Sequence, residues 1–562
     1  MSTEWLLAGG RVFRGLSGGF AEALLVRDGR VAAVGTAAEV EAAAGPEARR
    51  IDLAGRVAIP AFNEAHMHLL PYGLGLRQVN LRPDDGVKTL DALLGRIAAA
   101  AKETPKGEWV IGRGYDHGIL DVGRHPTADE LSRVAPEHPV YIVRTCGHLG
   151  VGNRAALALA GIGHNTPDPE GGAIGRRNGE LTGLLAEQAQ RLIRDVVPEP
   201  GEDAMVAAIE AGARHLASLG FAAASDMNVG MTAGLKEVAA YHRAVAEGRL
   251  PLRMWQVLAG NPEGIANAAW DEGMRPGDWM AVGDRAPRKA AEQDGTKPEI
   301  LTWGAVKVFG DGSAGGLTAA MFEPYREEAG GGTGLFCFPD ATMHALLLQY
   351  HKQGWQLDIH AIGDAAIEQV LSGMEAADSP EHGIDGRRHR IEHCGFLNRD
   401  QRRRMLAHGI LPVPQPTFIY EFGDVYIRNL GYERSAASYP MRTWLAEGHH
   451  PSASSDAPVC TPDPFVNLYT MVTRKTVKGT EIGPEEAITV EQAVHCYTWC
   501  GAFSQFAENR RGTLEPGMLG DVAVLSRDIF DGPPEALLET RCDLTLRGGA
   551  VIFDRNGEGG GG

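Results

Sequence analysis

Short apolar segments alternate with helical patterns through most of this 562-residue chain, and this rhythm limits the possible folds more than any other feature. Eight segments read as strands that lead into polar or reactive side chains: 57–62, 222–226, 252–258, 305–309, 357–360, 388–392, 411–415 and 451–455. Helical periodicity is clear before the second strand and after the fifth. Strands that alternate with helices predict an α/β fold with a parallel sheet or barrel.

Both ends of the chain show a different pattern, in which short strands are separated by glycine turns. One such turn is Asp28-Gly29, between two apolar segments near the N-terminus, and similar segments return after residue 516. We therefore expect residues 1–56 and 505–555 to build one β unit. The glycine-rich tail, 556–562, has no apolar side chain with which to pack and is predicted to be flexible.

The stretch between the first two predicted strands is too long for a single crossover helix. We predict an insertion over 75–205, with strands of its own near 109–112 and 139–143. The first barrel-type strand and its loop would then occupy 57–74, and the remaining strands and helices 206–504.

Charge and composition exclude several classes of protein. Lys and Arg number 54 against 72 Asp and Glu, which gives a net charge of −18, and no local basic patch offsets it. We therefore expect no nucleic-acid or membrane partner. The sequence has neither a signal-peptide pattern at its start nor an uncharged apolar run of about 18 residues, which predicts a cytoplasmic protein. The seven cysteines form no CxxC pair and are interpreted as buried apolar residues.

The strongest chemical signal is the pair His66 and His68 at the end of the first predicted strand. In an extended strand, residues i and i+2 face the same side, so both imidazoles can reach one metal ion. His360, His393 and Asp456 lie at the ends of later predicted strands, where barrel enzymes place their active sites. Neutral nitrogen and anionic oxygen ligands of this kind suit zinc and similar divalent ions.

Further short motifs extend over most of the chain. They are PAFNEAHMHL from Pro60, GRGYD from Gly112, GH at 147–148 with NRAAL from Asn153, GELTGLL from Gly179, VKVFGDGS from Val306 with TA at 318 and EPY at 323, HAIGDA from His360, RIEH from Arg390, SDAPV from Ser455 and GTLEPGMLGD from Gly512. Together these motifs resemble the amidohydrolase superfamily, and more narrowly its family-3 branch of YtcJ-like proteins and N-substituted formamide deformylases.

The resemblance implies a TIM-like (β/α)8 barrel, with a β-sandwich built from both chain ends and a large insertion after the first barrel strand. It also implies two divalent metal ions, most simply zinc, and a homodimer. The ligands carried over are His66, His68 and Asp456 for the first ion, and His360 and His393 for the second.

Lys307 gains a role only through the resemblance. A lysine ammonium group has donors only and cannot bind a cation. In relatives with two metal ions, however, the corresponding lysine is carboxylated by CO₂, and the resulting carbamate bridges the two ions. An ordinary ion pair of Lys307 with Asp311 or Asp456 is the alternative.

The predicted reaction is attack of hydroxide on an amide-like, non-peptide C–N bond of a small molecule. A divalent ion makes hydroxide available at neutral pH, and Asp456 would shuttle the proton to the leaving nitrogen. The second ion, or His148, would polarise the carbonyl group. Candidate substrate-binding residues are Arg113, Asp116, His148 and Asp311. Those in the insertion could act as a lid, with ordinary ion pairs in that region as the alternative.

The same residues are also compatible with other functions. A deaminase of a cyclic amidine would use one metal ion, and Lys307 argues against it. A lactone, ester or phosphotriester hydrolase could use the two-metal site unchanged. A non-catalytic binding protein should have lost at least one ligand, whereas all six residues are present. Among amide substrates, N-substituted formamides, other N-acyl amines and cyclic amides or ureas remain open.

Overall fold

The computed structural model describes residues 4–144, 149–169, 172–293 and 298–557. Packing divides the chain into two compact units, Met1–Tyr72 with Met205–Gly562, and Gly73–Ala204. The second unit starts two residues before the start of the insertion predicted at 75–205, and it ends one residue before the predicted end. Within the described ranges, no helix is both long enough and apolar enough to cross a lipid bilayer.

The N-terminal elements are mainly short strands. They are β1 (Glu4–Ala8), β2 (Arg11–Gly15), β3 (Gly19–Ala21), β4 (Ala23–Arg27), β5 (Arg30–Gly35), α1 (Ala37–Ala43), β6 (Arg49–Asp52), β7 (Val57–Pro60), β8 (Phe62–Met67) and α2 (Leu69–Leu76). Thr36 and Glu39 cap the start of α1 reciprocally.

The unit Gly73–Ala204 contains a six-stranded sheet with the order β13-β14-β12-β11-β10-β9. Its elements are β9 (Val79–Asn80), α3 (Leu90–Glu103), β10 (Val110–Tyr115), α4 (Ala128–Val134), β11 (Val140–Arg144), β12 (Leu149–Gly152), α5 (Arg154–Leu159), β13 (Gly172–Arg177), β14 (Glu180–Glu187) and α6 (Arg191–Arg194). Asn178 and Gly179 both have positive φ and form the tight turn between β13 and β14.

The remaining elements alternate strands with helices before the chain ends in three strands. They are α7 (Glu202–Ser218), β15 (Phe221–Val229), α8 (Leu235–Ala246), β16 (Arg253–Ala259), α9 (Ala266–Asp271), β17 (Asp278–Ala281), β18 (Glu299–Phe309), α10 (Asp340–Lys352), β19 (Gln356–Ala361), α11 (Asp364–Ala377), β20 (Arg390–His393), α12 (Arg399–Ala407), β21 (Leu411–Val413), α13 (Thr417–Leu430), α14 (Tyr432–Ala436), α15 (Met441–Glu447), α16 (Pro464–Thr473), α17 (Val490–Cys496), α18 (Trp499–Ser504), β22 (Val522–Leu525), β23 (Cys542–Arg547) and β24 (Ala550–Asp554).

Seven of these strands form a parallel sheet in chain order, β8-β15-β16-β18-β19-β20-β21, and β17 adds to β18 in the antiparallel sense. The eighth predicted strand, 451–455, is not a regular strand, but it lies between the two edges of this sheet. Ser452 donates its N–H to Pro412 O of β21 at 3.1 Å, and Asp456 donates its N–H to His66 O of β8 at 2.9 Å. The segment thus nearly closes the sheet, which confirms the predicted α/β fold with a parallel barrel.

Strands from both ends of the chain pair with one another in the same unit. One sheet has the order β5-β4-β1-β6, and the other has the order β24-β23-β22-β7-β2-β3. Trp5, Val26, Val524 and Leu544 are among the buried side chains of their shared core. The two sheets therefore form a sandwich, and the second sheet combines N-terminal strands with the three strands that end the chain.

The first barrel strand differs from the predicted position, 57–62. Residues Val57–Pro60 form β7, which pairs with β22 in the sandwich, and the barrel strand β8 begins at Phe62. The change of sheet follows Ala61, whose N–H still binds Asp521 O, just before β22, at 3.0 Å, whereas Phe62 donates its N–H to Gly220 O, just before β15, at 2.9 Å. The apolar run over 57–62 continues through this change of partner and therefore cannot show it.

Candidate metal centre

The six residues predicted to bind metal lie at the carboxyl ends of the barrel strands or directly after them. His66 is in β8 and His68 follows it, while Lys307, His360 and His393 lie near the ends of β18, β19 and β20. Asp456 ends the segment that closes the sheet. Because the carboxyl ends of parallel strands meet at one end of a barrel, these side chains converge although up to 390 residues separate them in the chain.

His66, His393 and Asp456 offer ligand atoms that all lie within 4.8 Å of one another, and all three residues are buried. His66 Nε2 and His68 Nε2 each lie 3.3 Å from Asp456 Oδ1. The imidazole rings form a continuous row, with 4.8 Å between the centroids of His66 and His393 and 4.3 Å between those of His393 and His360. The site therefore spans both predicted groups of ligands.

The hydrogen bonds of the ring nitrogens show which nitrogen of each histidine remains free. Nδ1 of His66 lies 2.5 Å from Glu392 Oε2, and Nδ1 of His68 lies 2.9 Å from Met227 O. Nδ1 of His393 lies 2.6 Å from Gln415 Oε1. Since each partner atom is an acceptor, Nδ1 carries the proton and Nε2 keeps its lone pair.

His360 has the opposite arrangement. Its Nε2 lies 2.9 Å from Gly312 O and 3.3 Å from Asp311 Oδ1, both of which are acceptors. The proton is therefore on Nε2, and Nδ1 is the nitrogen with a free lone pair. His360 would bind a metal ion through a different ring atom from the other three histidines.

A cation fits the centre because acceptors face one another there. His66 Nε2 and Asp456 Oδ1 are buried and, among the described residues, have no hydrogen-bond partner. Burial, together with the charge of Lys307, lowers the pKa of His66, so its ring is neutral. Two lone pairs of neutral imidazoles and one carboxylate therefore point at the same small space, as in divalent metal sites.

Lys307 is 1% exposed and, within the part of the chain that the structure describes, has no carboxylate oxygen within 4.0 Å of Nζ. Burial lowers the pKa of Lys307 to about 8. The alternative of an ion pair with Asp311 or Asp456 is therefore wrong for this structure. A buried ammonium group without a direct counter-ion is costly, which favours another chemical state for this side chain.

Glu392 precedes His393, and the alternation of a strand predicts a structural rather than a catalytic role for it. It accepts hydrogen bonds from His66 Nδ1 and from Arg390 Nε, the latter at 2.7 Å, and Arg390 also lies 3.4 Å from Asp358. All four side chains are fully buried. Burial raises the pKa of Glu392, but Arg390 and His66 outweigh this effect and hold it low, at about 2. An ionised Glu392 fixes the orientation and tautomer of His66.

Glu64 connects β8 to the segment that carries Asp456. Its Oε1 accepts N–H groups of Ser455 at 2.9 Å and His66 at 3.2 Å, and its Oε2 accepts the Tyr497 hydroxyl at 3.0 Å. Burial raises the pKa of Glu64 to about 7. Glu64 therefore holds the backbone at His66 and next to Asp456, and Gln415 holds the ring of His393. No short motif in the sequence predicts either contact.

Two of the six residues lie in strained backbone. His393 has φ 69° and Asp456 has φ 58°, in the left-handed region that non-glycine residues seldom adopt. Such strain is found where the surrounding structure aims a side chain at a functional site. Here it turns His393 and Asp456 at the points where their strands end.

Asp311, a predicted substrate-binding residue, accepts hydrogen bonds from three backbone N–H groups. Its Oδ1 accepts the N–H of Ile362 at 3.0 Å, and its Oδ2 accepts those of Gly363 and Ala320, both at 2.9 Å. The carboxylate is buried and its acceptor positions are largely used. Asp311 therefore fixes the loop that follows His360.

The other three predicted substrate-binding residues belong to the unit Gly73–Ala204 or lie outside the described residues. Arg113 is an exposed residue of β10. Asp116 accepts a hydrogen bond from Arg144 at 2.9 Å, so the predicted alternative of an ion pair within the insertion exists for this residue. His148 lies outside the described residues.

A parallel barrel whose strand ends gather neutral imidazoles around an aspartate defines a metal-dependent hydrolase of the barrel class. More specifically, the chain belongs to the amidohydrolase family, whose sequence profile matches residues 49–553. The predicted family and the prediction of an amidohydrolase enzyme are thereby confirmed.

Individual relatives support this assignment over nearly the whole chain. The chain is 28% identical over 541 residues to a putative amidohydrolase, YtcJ, of Bacillus subtilis, covering 95% of this chain and 96% of the relative. It is 29% identical over 545 residues to the N-substituted formamide deformylase of Arthrobacter pascens, covering 96% of each. The crystal structure of an uncharacterised metal-dependent hydrolase from Pyrococcus horikoshii superposes with a TM-score of 0.74 at 26% identity, covering 95% of this chain and 99% of that chain.

Proposed function

We propose that this protein hydrolyses an amide-like, non-peptide C–N bond of a small molecule, with two divalent metal ions as cofactors, most simply zinc. The observation that carries the proposal is the convergence of two unprotonated imidazole nitrogens on Asp456 Oδ1, each at 3.3 Å. Lone pairs so arranged repel one another unless a cation lies between them. One relative that matches over nearly the whole chain is named an N-substituted formamide deformylase, which makes N-substituted formamides the first substrates to test.

The donor set suits two ions. His66, His68 and Asp456 would hold the first, and His360 and His393 the second, through the ring nitrogens that their hydrogen bonds leave free. Lys307 would bridge them after its neutral amine adds to CO₂, forming an N–C bond and releasing one proton, to give an anionic carbamate. Its burial without a direct counter-ion supports this state, because a carbamate between two cations leaves no isolated charge.

When bound, the ions would polarise the substrate carbonyl and lower the pKa of water so that hydroxide is available at neutral pH. The chain's own residues then position the reaction and move the proton. Asp456 would take the proton of the attacking water at its carboxylate and return it to the leaving nitrogen. Glu392 and Gln415 keep His66 and His393 in the tautomers that direct Nε2 into the centre.

A small molecule is the proposed substrate, and a role for Arg113, Asp116, His148 and Asp311 in binding it stays a prediction. A homodimer and a cytoplasmic location also stay predictions. The mononuclear deaminase and the lactone or ester hydrolase are retained as outcomes of the test rather than as separate proposals.

Elemental analysis by plasma mass spectrometry, on protein purified without chelator, tests the metal content directly. Two equivalents of zinc or a similar ion are expected in the wild type, and one or fewer in Lys307→Ala. One equivalent in both proteins would overturn the bridged centre and bring the mononuclear deaminase forward.

An activity panel tests the bond that is cleaved. The panel comprises N-substituted formamides, N-acyl amines, a cyclic urea, a cyclic amidine, a lactone and a phosphotriester, assayed with metal-loaded enzyme. Hydrolysis of one or more amides is expected to exceed that of the lactone and phosphotriester by at least tenfold in kcat/KM. Preference for the amidine, lactone or phosphotriester would contradict the proposed function.

A further inference from the structure

A cavity of about 420 Å³ lies at the amino ends of the barrel strands. Its wall includes the first residues of β16, β18 and β19, among them Arg253 and Glu299. Glu299 and Lys307 are eight residues apart on β18, which is about 26 Å along an extended strand. The cavity therefore opens at the end of the barrel opposite to the candidate metal centre, and its volume is typical of a small-molecule site.

The charged side chains in this wall are strongly unbalanced. Among the described residues that line the cavity, the charged ones are four arginines and one glutamate: Arg253, Arg387, Arg510, Arg511 and Glu299. Arg510 pairs with Glu299 at 2.7 Å, and Arg253 pairs with Asp521 at 3.1 Å. These pairs account for two of the four guanidinium groups.

The other two guanidinium groups have no carboxylate within 4.0 Å in the part of the chain that the structure describes. Arg511 is only 7% exposed; its Nη2 donates to Gln505 Oε1 at 2.5 Å, and its Nε has no hydrogen-bond partner among the described residues. Among the described residues, the Arg387 side chain has one hydrogen-bond partner, the backbone carbonyl of Gly354, at 3.5 Å. Burial lowers the pKa of Arg511 to about 10, against the opposing charges of Glu299 and Asp521, which still leaves it charged at neutral pH. Both of these carboxylates are in direct contact with other arginines, so an anion in the cavity would give Arg511 a direct counter-ion.

The same wall offers flat apolar surface and a further donor. The rings of Trp255 and Phe506 lie 6.1 Å apart, and Trp255 Nε1 has no hydrogen-bond partner among the described residues. Gly304 is also part of the wall, and a Cβ at that position would come within 1.9 Å of the Trp255 ring. Glycine at 304 thus lets the indole lie against β18 and contribute its face and edge to the cavity.

We propose that this cavity binds a small organic oxyanion that carries a flat ring, with Arg511 and Arg387 binding the anionic group and Trp255 and Phe506 contacting the ring. Guanidinium groups suit planar carboxylates and phosphates because they donate two parallel hydrogen bonds. The site does not overlap the candidate metal centre, so its ligand is not the substrate of the proposed hydrolysis.

Binding should stabilise the fold, because the wall joins the amino ends of three barrel strands to residues 505–511 of the C-terminal segment. A ligand that binds only the folded state raises the melting temperature with increasing concentration. The probe is 4-bromobenzoate, which has a flat ring and one carboxylate, and inorganic phosphate serves as the ringless comparison.

The test uses metal-loaded wild type, Arg511→Met, Arg387→Met and a control, Arg403→Met, whose side chain is 72% exposed on α12. Calorimetric titration and melting curves are expected to show saturable binding of 4-bromobenzoate to wild type and control. We expect at least tenfold weaker binding in both cavity variants. Two cavity variants are included because Arg511→Met removes a buried side chain that also bonds Gln505, whereas Arg387 is more exposed.

Three results would overturn the proposal. The first is the absence of saturable 4-bromobenzoate binding to wild type, and the second is equal binding to all four proteins, as expected for an anion held at the metal centre. The third is a bromine anomalous signal at the metal centre rather than in the cavity in crystals grown with the probe. Phosphate should bind more weakly than 4-bromobenzoate, and equal binding would contradict the role of the two rings.

Discussion

The carboxylate of Glu392 lies 2.5 Å from Nδ1 of His66, although 326 residues separate them in the chain. Arg390 holds the other oxygen of the same carboxylate at 2.7 Å. The imidazole is therefore fixed between a charged acceptor on one side and Asp456 on the other. This relationship sets which nitrogen of His66 faces the centre, and it makes Glu392 a positioning residue for this metal ligand.

Glu392→Gln should weaken zinc binding by about 10- to 100-fold. Glutamine keeps the size of the side chain and an acceptor oxygen, but it removes the negative charge that raises the basicity of His66. Competition with a chelating dye measures the affinity. Glu508→Gln is the matched control, since Glu508 also pairs with an arginine, Arg388, at 2.7 Å, but makes no contact with the metal ligands. Equal zinc affinity in wild type and Glu392→Gln would show that the contact does not tune His66.

Asp456→Asn should lower kcat by about 10²- to 10⁴-fold, because an amide cannot take a proton from water. The measurement is the initial rate of formate release from the formamide in the panel that is hydrolysed best. Metal content is determined on the same sample, which separates loss of a ligand from loss of the proton shuttle. Asp400→Asn, with a side chain 58% exposed on α12, is the control. A kcat within threefold of the wild type in fully loaded Asp456→Asn would remove this residue from the mechanism.

Reloading of the metal-free protein should depend on CO₂. We expect two equivalents of zinc to bind in the presence of bicarbonate and one or fewer in CO₂-free buffer, because the bridging carbamate forms from Lys307 and CO₂. Lys307→Ala should bind the same amount under both conditions. Zinc uptake by the wild type that is independent of bicarbonate would contradict a carboxylated lysine.

The barrel and the ends of its strands could be predicted because they depend on local pattern. The alternation of apolar strands with helices indicates a parallel sheet, and parallel strands bring their carboxyl ends together whatever lies between them. His66, His360 and His393 could therefore be grouped without any knowledge of distances. The boundary between sandwich and barrel after Pro60 could not be predicted, because the buried apolar run 57–62 continues through it.

The supporting contacts of the centre could not be read from the sequence, because they depend on backbone geometry and on partners distant in the chain. In a regular strand Glu392 and His393 point to opposite faces, which favours a structural role for Glu392. The left-handed backbone at His393, with φ 69°, breaks that alternation. The arginine-rich cavity is equally hidden, because its wall is assembled from residues between 253 and 511 that share no motif.

Asp311→Asn should lower the free energy of unfolding by about 1–3 kcal/mol. Asparagine has one acceptor oxygen, so it leaves at least one of the buried N–H groups of Ile362, Gly363 and Ala320 without a partner. Urea denaturation of the loaded protein measures the change. Asp364→Asn should lower the free energy of unfolding by less than Asp311→Asn does, because asparagine keeps the one oxygen that accepts the Phe322 N–H. A raised KM with unchanged stability would instead support the substrate-binding role predicted from the sequence.

Asp226→Asn should make stability less dependent on pH in the range from 5 to 7. Asp226 is buried, accepting the N–H of Leu69 at 2.9 Å and the hydroxyl of Tyr241, and burial raises its pKa from 3.8 to about 6. The folded state therefore holds this proton more tightly than the unfolded state, so the wild type loses stability as pH rises towards and past 6, by about 1 kcal/mol between pH 5 and 7. Asparagine has no proton to lose, so the stability of the variant relative to the wild type should rise by that amount over the same range. Denaturant midpoints of both loaded proteins at pH 5, 6 and 7 measure this difference. A difference that stays constant with pH would mean that Asp226 does not change its protonation in this range.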